Sequence, residues 1–193
     1  MSLSGAKIAG GNPKNGRVDF DYYATNPEAV QMLLNAHRFY GIDALEPCVG
    51  GGHIAKVLEE RFIVTSLDIV DRGYPNTIIH DFLTWETDKL FDVIISNPPY
   101  SLAQEFIEKG LTLLNDNGQI AMFLKIQFLE GAKRKEFFKE NPPKYVYVFR
   151  NRMATFCNGA ELDKNGKKWS TTMCHAWYVW EKNCKSEPVI RWL

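Results

Sequence analysis

The chain has 193 residues, 45% of them hydrophobic and 24% charged. That is the size and balance of one globular domain, and it excludes collagen-like, low-complexity and intrinsically disordered classes. The formal net charge of zero hides a split: residues 1–120 hold 9 Lys+Arg against 16 Asp+Glu, and residues 121–193 hold 14 against 7. Solvated surface lysines explain such a split as well as an anion-facing surface does, unless a site points the same way. No apolar run reaches the roughly 18–20 residues of a membrane span, and no charged-then-apolar leader opens the chain, so a soluble cytoplasmic protein is expected. Cys48, Cys157, Cys174 and Cys184 share no metal-ligand or C-x-x-C spacing. His37, His53, His80 and His175 are no better spaced, and neither a disulfide framework nor a metal is expected.

In chain order, the Gly- and Asn-rich residues 1–20 read as a flexible tail and 21–193 as a single domain. Thr25-Asn26-Pro27-Glu28 is a helix start, with a capping residue, a proline in the first turn and an acid; Gly41 ends the segment. Ile42 to Pro47 is a buried strand running into Cys48-Val49-Gly50-Gly51-Gly52, and His53 to Glu60 a short helix. Strands follow over Phe62–Ile69, Thr77–Ile79 and Phe91–Ser96. Ser101 and Gln104 form a capping box for a helix through about Leu114. Gln119–Leu124 is a strand, Ala132–Lys139 a helix, and Tyr145–Arg150 and Met173–Trp180 are two closing strands joined by a polar excursion. This alternation predicts an α/β fold, an open and mostly parallel sheet with helices on both faces. Such sheets bind ligands at the carboxyl ends of their strands, where Glu46, Asp68, Asp81 and Asn97 all fall.

Gly50-Gly51-Gly52-His53-Ile54-Ala55 fits the dinucleotide fingerprint G-x-G-x-x-[GA], with Asp68 about the right distance beyond it. Glycine amides attract a pyrophosphate, yet Glu46 at the mouth of the loop opposes one. A carboxylate there suits a ligand carrying positive charge, such as the ammonium and sulfonium of S-adenosylmethionine. Asp68 suits either ligand, because a carboxylate accepts from both ribose hydroxyls. Asp81 and Phe82 are placed to meet an adenine amino group and ring, although an acid at a strand end is also a common turn cap.

Asn97-Pro98-Pro99-Tyr100 follows a buried strand. Proline as a strand terminator accounts for Pro98 and Pro99 but leaves Asn97 and Tyr100 without a task. An amino nitrogen conjugated to a ring is a poor nucleophile because its lone pair is delocalised. Acceptors aimed at its N–H groups, here the Asn97 side-chain oxygen and the Pro98 carbonyl, draw it toward tetrahedral geometry. Tyr100 can stack on the planar group and hold it in line with the methyl–sulfur bond. Catalysis of this kind is positioning and preorganised electrostatics.

With these motifs in place, the chain resembles the class I S-adenosylmethionine-dependent amino-methyltransferases, most closely the small phage-type DNA N6-adenine methyltransferases. The residues that carry the resemblance are Asp21 to Pro27, Leu45 to His53, Asp68, Asp81-Phe82 and Asn97 to Tyr100. Lys125–Gly131 and Ala176–Glu181 add to it with less specificity. The resemblance implies a Rossmann-like sheet of seven strands whose last strand is antiparallel. It implies S-adenosyl-L-methionine as cofactor, with Tyr23 and Thr25 near the methionine carboxylate and Glu46, Gly50 and Gly52 bordering the methionine. Asp68 would hold the ribose, Asp81 and Phe82 the cofactor adenine, and Asn97, Pro98, Pro99 and Tyr100 the target base in DNA. Phe156 is a candidate second aromatic on that base, with a local hydrophobic plug as its plainer role. Larger relatives carry a separate target-recognition domain for which this chain has no room. Arg150, Arg152, Lys164, Lys167 and Lys168, around the excursion over Asn151–Ser170, are candidates for phosphate contacts. Lys133-Arg134-Lys135 is a further basic triplet. RNA adenine is the near alternative substrate, and a protein glutamine enzyme, a nicotinamide oxidoreductase and a non-catalytic cofactor-binding module are more remote ones.

Overall fold

The structure, a computed structural model, describes residues 22–193. The tail expected over residues 1–20, and Asp21 after it, lie outside the described residues.

The short strand β1 (Tyr23–Ala24) leads into helix α1 (Pro27–Ala36). Asn26 caps that helix as expected: its side-chain oxygen accepts from the Glu28 amide at 3.0 Å, and Val30, Leu33 and Leu34 face the core. Then come β2 (Asp43–Glu46), α2 (Ala55–Leu58), β3 (Ile63–Asp68), β4 (Ile78–Ile79) and β5 (Phe91–Ser96). Helix α3 (Ala103–Thr112) follows a 3-10 turn over Tyr100–Leu102. The helix start lies close to the Ser101–Gln104 segment expected to cap it. Leu102 is the N-cap without a side-chain bond, and the Gln104 amide donates to Glu108 one turn on at 2.9 Å. The chain closes with β6 (Leu114–Lys125), α4 (Lys135–Glu140), β7 (Tyr145–Val148), β8 (Phe156–Cys157), β9 (His175–Glu181) and β10 (Val189–Trp192).

Eight strands form the main sheet in the order β10-β7-β9-β6-β5-β2-β3-β4. β2, β3, β4, β5 and β6 run parallel, and β9 enters antiparallel between β6 and β7. The sheet is thus Rossmann-like and mostly parallel, with one strand more than expected. The added strand is β10, parallel to β7, so the antiparallel strand is not the last in the chain. β10 is an edge strand whose residues are all exposed, and it lacks the buried apolar run by which the inner strands announce themselves. β1 and β8 pair separately as a two-stranded antiparallel ribbon, Ala24 opposite Phe156.

Apolar residues cover both faces of the sheet. Ile94 packs in one buried cluster with Phe106, Ile120 and Tyr178, while Val93 and Ile95 point into the other with Val30, Leu33 and Trp177. The buried Trp177 indole donates to the Ala29 carbonyl at 2.9 Å and ties β9 to α1. Among the described residues, no helix is long and apolar enough to cross a membrane.

Candidate active site

Parallel strands put their carboxyl ends along one edge of the sheet, and Glu46, Asp68 and Ser96 end three of them. Because β9 runs the other way, its first residue, His175, lies opposite Lys125 at the end of β6 and joins the same edge. The loop after β5 carries Asn97 to Tyr100 onto that edge. The topology therefore brings together side chains from five separate stretches of chain.

Glu46 has no exposed surface. One carboxyl oxygen accepts from the Ser96 hydroxyl at 3.3 Å, and the other has no hydrogen-bond partner among the described residues. Burial pushes its pKa well above the ordinary carboxylate value, and the neighbouring Asp68 adds to the shift. Thr25 is also buried with an unpartnered hydroxyl. An unpaired buried polar atom costs about 1–3 kcal/mol, so a pair of them at one edge of a sheet marks a place built for a polar ligand.

The glycine loop satisfies its own amides. The Gly50 N–H donates to Asp68 Oδ2 at 2.8 Å, the Gly51 N–H to the Tyr22 hydroxyl at 2.7 Å and the Gly52 N–H to the Val49 carbonyl at 2.8 Å. Gly50 and Gly52 have positive φ, 54° and 81°. A side chain on either would also meet an aromatic ring, Tyr22 over Gly50 and Tyr74 over Gly52. Asp68 is a brace as well as a candidate ligand: its Oδ1 accepts from the Val70 N–H at 2.9 Å. A carboxylate has about four acceptor directions, so these two bonds leave room for ribose hydroxyls.

Asp81 makes a tight turn, its Oδ1 accepting from the Leu83 N–H at 2.9 Å. Phe82 is only 2% exposed and packs against Phe106 with ring centroids 5.0 Å apart. Its ring belongs to the core, and what it offers the edge is its backbone. Ile69, next to Asp68, is an exposed apolar side chain at the same edge, and its role was not visible in the sequence.

The Asn97 amide nitrogen donates to the Tyr23 carbonyl at 3.0 Å. That bond sets the amide's orientation by committing its nitrogen. Pro98 is buried and Pro99 half-buried, so the motif is rigidly seated. Burial raises the Tyr100 pKa and keeps it a phenol. The Lys125 ammonium sits 4.9 Å from the Tyr100 ring centroid, and the His175 ring lies 6.0 Å away, itself stacked on Phe123 at 4.7 Å. Burial holds His175 neutral by lowering its pKa to about 4. Its Nδ1–H donates to the Met153 carbonyl at 3.2 Å, while Nε2 is buried and unpartnered.

Phe156 stands beside the glycine loop, its ring edge-on to His53 at 6.0 Å. Tyr23 points outward and is 38% exposed, and it reaches the site through its backbone carbonyl. The phenol on the glycine loop is Tyr22. Adjacent tyrosines in a strand point to opposite faces, and only the pairing of β1 with β8 decides which one faces in.

Arg150, Arg152, Lys164, Lys167 and Lys168 are all exposed. The three lysines lie on a small hairpin that Asp163 organises by accepting from the Asn165 and Lys167 amides, with Leu162 bridged to Lys168. Arg134 belongs elsewhere. Its guanidinium donates to the carbonyls of Phe128 (2.8 Å), Gln127 (3.3 Å) and Glu130, so it clasps the turn after β6. Lys133 and Lys135 alone of that triplet are exposed.

No family model matches the chain. A curated relative, the type II methyltransferase M.CvrRI of Paramecium bursaria Chlorella virus XZ-6E, is 33% identical over 123 residues, taking in 48% of this chain and 32% of that protein. The chain thus spans about a third of that relative's length. Among solved structures, the type I restriction-modification methyltransferase subunit of Streptococcus thermophilus superposes with a TM-score of 0.63 at 15% identity, over 89% of this chain and 47% of that one. A protein assigned to the class I S-adenosylmethionine-dependent methyltransferases, from Listeria monocytogenes, gives 0.60 at 14% identity over 86% and 64%. The 23S rRNA methyltransferase ErmE gives 0.53 at 18% identity over 88% and 72%. The fold of this chain is that of the class I S-adenosylmethionine-dependent methyltransferases.

Proposed function

We propose that the chain, one domain over residues 21–193, transfers a methyl group from S-adenosyl-L-methionine to the N6 amino group of adenine in DNA. The observation that carries this reading is the pairing of two features far apart in sequence but joined through Ser96: a buried, half-unpartnered Glu46 and an Asn97 amide whose nitrogen is tied to the Tyr23 carbonyl. The first suits a cationic amino acid head; the second suits a planar amino group. The 33% identity to a type II methyltransferase over 123 residues supports the same reading.

The cofactor supplies an electrophilic methyl carbon on a sulfonium. Glu46 would accept from its ammonium and the Thr25 hydroxyl would donate to its carboxylate, relieving both unpartnered atoms. Asp68 would take the ribose hydroxyls, and Asp81 with the Phe82 backbone the adenine, beside Ile69. Asn97 Oδ1 and the Pro98 carbonyl accept from the target amino group, and Tyr100 stacks on the base with its other face toward Lys125. The acceptor nitrogen held by Asn97 and Pro98 would be left with one surplus proton, which it would release to solvent. Nothing stronger than water is needed to take that proton. A nicotinamide dinucleotide fits less well. Two of the three glycine amides that would hold its pyrophosphate, those of Gly50 and Gly52, are committed to Asp68 and the Val49 carbonyl, and the Asp68 carboxylate would repel the phosphates.

The test is transfer from labelled S-adenosylmethionine to unmethylated DNA, with the product digested to nucleosides for mass spectrometry. N6-methyldeoxyadenosine is the expected product. The same label in RNA alone would move the substrate to RNA, and no label in either would overturn the reading. Asn97→Ala is expected to keep cofactor affinity while the rate falls by about 10²–10³-fold, the usual cost of losing one preorganised hydrogen-bonding group.

A further inference from the structure

Tyr22 occupies the glycine loop in a specific manner. Its hydroxyl accepts from the Gly51 N–H at 2.7 Å and lies 3.1 Å from His53 Nδ1. His53 in turn hydrogen-bonds the Gly159 backbone, and burial lowers its pKa, so it is neutral and its Nδ1 accepts the phenol proton. The ring covers Gly50 and faces Gly159, with the Arg72 guanidinium 4.6 Å from its centroid. The backbone is held separately: the Tyr22 carbonyl accepts from the Asn158 N–H at 2.8 Å, and Tyr23 pairs with Cys157. The side chain can therefore leave the loop by rotation about its own bonds while the ribbon stays in place.

An oxygen 2.7 Å from a glycine amide, in a loop whose Gly50 N–H is held by Asp68 at the ligand-facing edge of the sheet, stands where a ligand carboxylate oxygen would stand. We infer that Tyr22 is a resident competitor for the carboxylate seat of the loop: its phenol satisfies the Gly51 N–H in the ligand-free protein and is displaced when the cofactor's amino acid end arrives. The inference rests on the proposed reading of this site and adds a residue to it. Tyr22 then sets cofactor affinity from the ligand-free side, because each binding event must break its two hydrogen bonds. The same phenol keeps the loop folded and its amide dry when no cofactor is present.

The consequence has a sign opposite to that of an ordinary ligand contact. Tyr22→Phe keeps the ring over Gly50 but leaves the Gly51 N–H without its acceptor. Titration calorimetry with S-adenosylmethionine is expected to show about three- to tenfold tighter binding, the range that one net hydrogen bond spans. His53→Ala removes the acceptor of the phenol proton and is expected to shift affinity the same way by less. Hydrogen exchange without ligand gives an independent reading, with the Gly51 amide exchanging faster in Tyr22→Phe. Equal or weaker cofactor binding by Tyr22→Phe, with the wild type binding normally, would overturn the inference and leave the site reading intact. If neither protein bound the cofactor, the site reading itself would fall and the inference with it.

Discussion

Glu46 is a carboxyl group that the fold holds in its neutral form until something positive meets it. Its pKa is raised by burial, so in the ligand-free protein the folded state keeps a proton that the unfolded chain gives up. Below the ordinary carboxylate range both states are protonated and the folded state loses nothing. As pH climbs through that range the unfolded chain ionises first, and stability falls until the raised pKa is passed. Glu46→Gln lacks this loss. The variant is expected to melt a few degrees above the wild type at neutral pH, with the difference shrinking to nothing near pH 4 in calorimetric scans. The same change should weaken S-adenosylmethionine binding by at least about tenfold, since a charge-assisted hydrogen bond is lost. A variant that melted higher yet bound equally would separate Glu46 from the cofactor. His37 and His175, whose pKa values burial lowers to about 4, titrate alike in both proteins and cancel from the comparison.

Elements position the site through turns that the chain braces from within. The turn after β6 presents exposed Gln127 and Leu129, and Arg134 spans it with donors to the carbonyls of Phe128, Gln127 and Glu130. Arg134→Ala is expected to raise amide exchange across residues 127–131 while leaving the strands protected, because the lost bonds are local. Protection unchanged in that turn would show that the guanidinium is incidental. The alternation of strands and helices was readable because β2, β3, β5, β6 and β9 are buried apolar runs, and α1 carries a cap, a proline and a helical apolar face. Glu46, Asp68 and Asn97 were readable because strand ends face the ligand edge in any parallel sheet. The pairing of β1 with β8 was not readable. It joins two-residue strands more than 130 residues apart, and neither has a pattern of its own. With it went the choice between Tyr22 and Tyr23, which differ in nothing but which face of that ribbon they occupy. His175 was passed over for a similar reason: it stands near Lys125 only because β9 runs backwards.

At the scale of the molecule, the charge split of the sequence resolves into a few exposed residues. Arg134 is spent inside the protein, while Lys164, Lys167 and Lys168 extend on the hairpin that Asp163 shapes. If that hairpin lies along a phosphate backbone, log affinity for DNA falls linearly with log salt. Changing the three lysines to alanine should then flatten the slope by up to about 2–3 in fluorescence anisotropy titrations. An unchanged slope would place the nucleic acid on another face. The position of β9 has a different kind of consequence, one in time. It is flanked by β6 and β7, both made before it, and its Trp177 and Trp180 fill the core on the two faces of the sheet. A nascent chain that has emerged only as far as β7 therefore has a gap at the middle of its sheet, with two unpaired strand edges flanking it. Such edges invite pairing with other chains. Release from that hazard comes late and all at once, when residues 175–181 slot in and bring the imidazole of His175 opposite Lys125 in the same step.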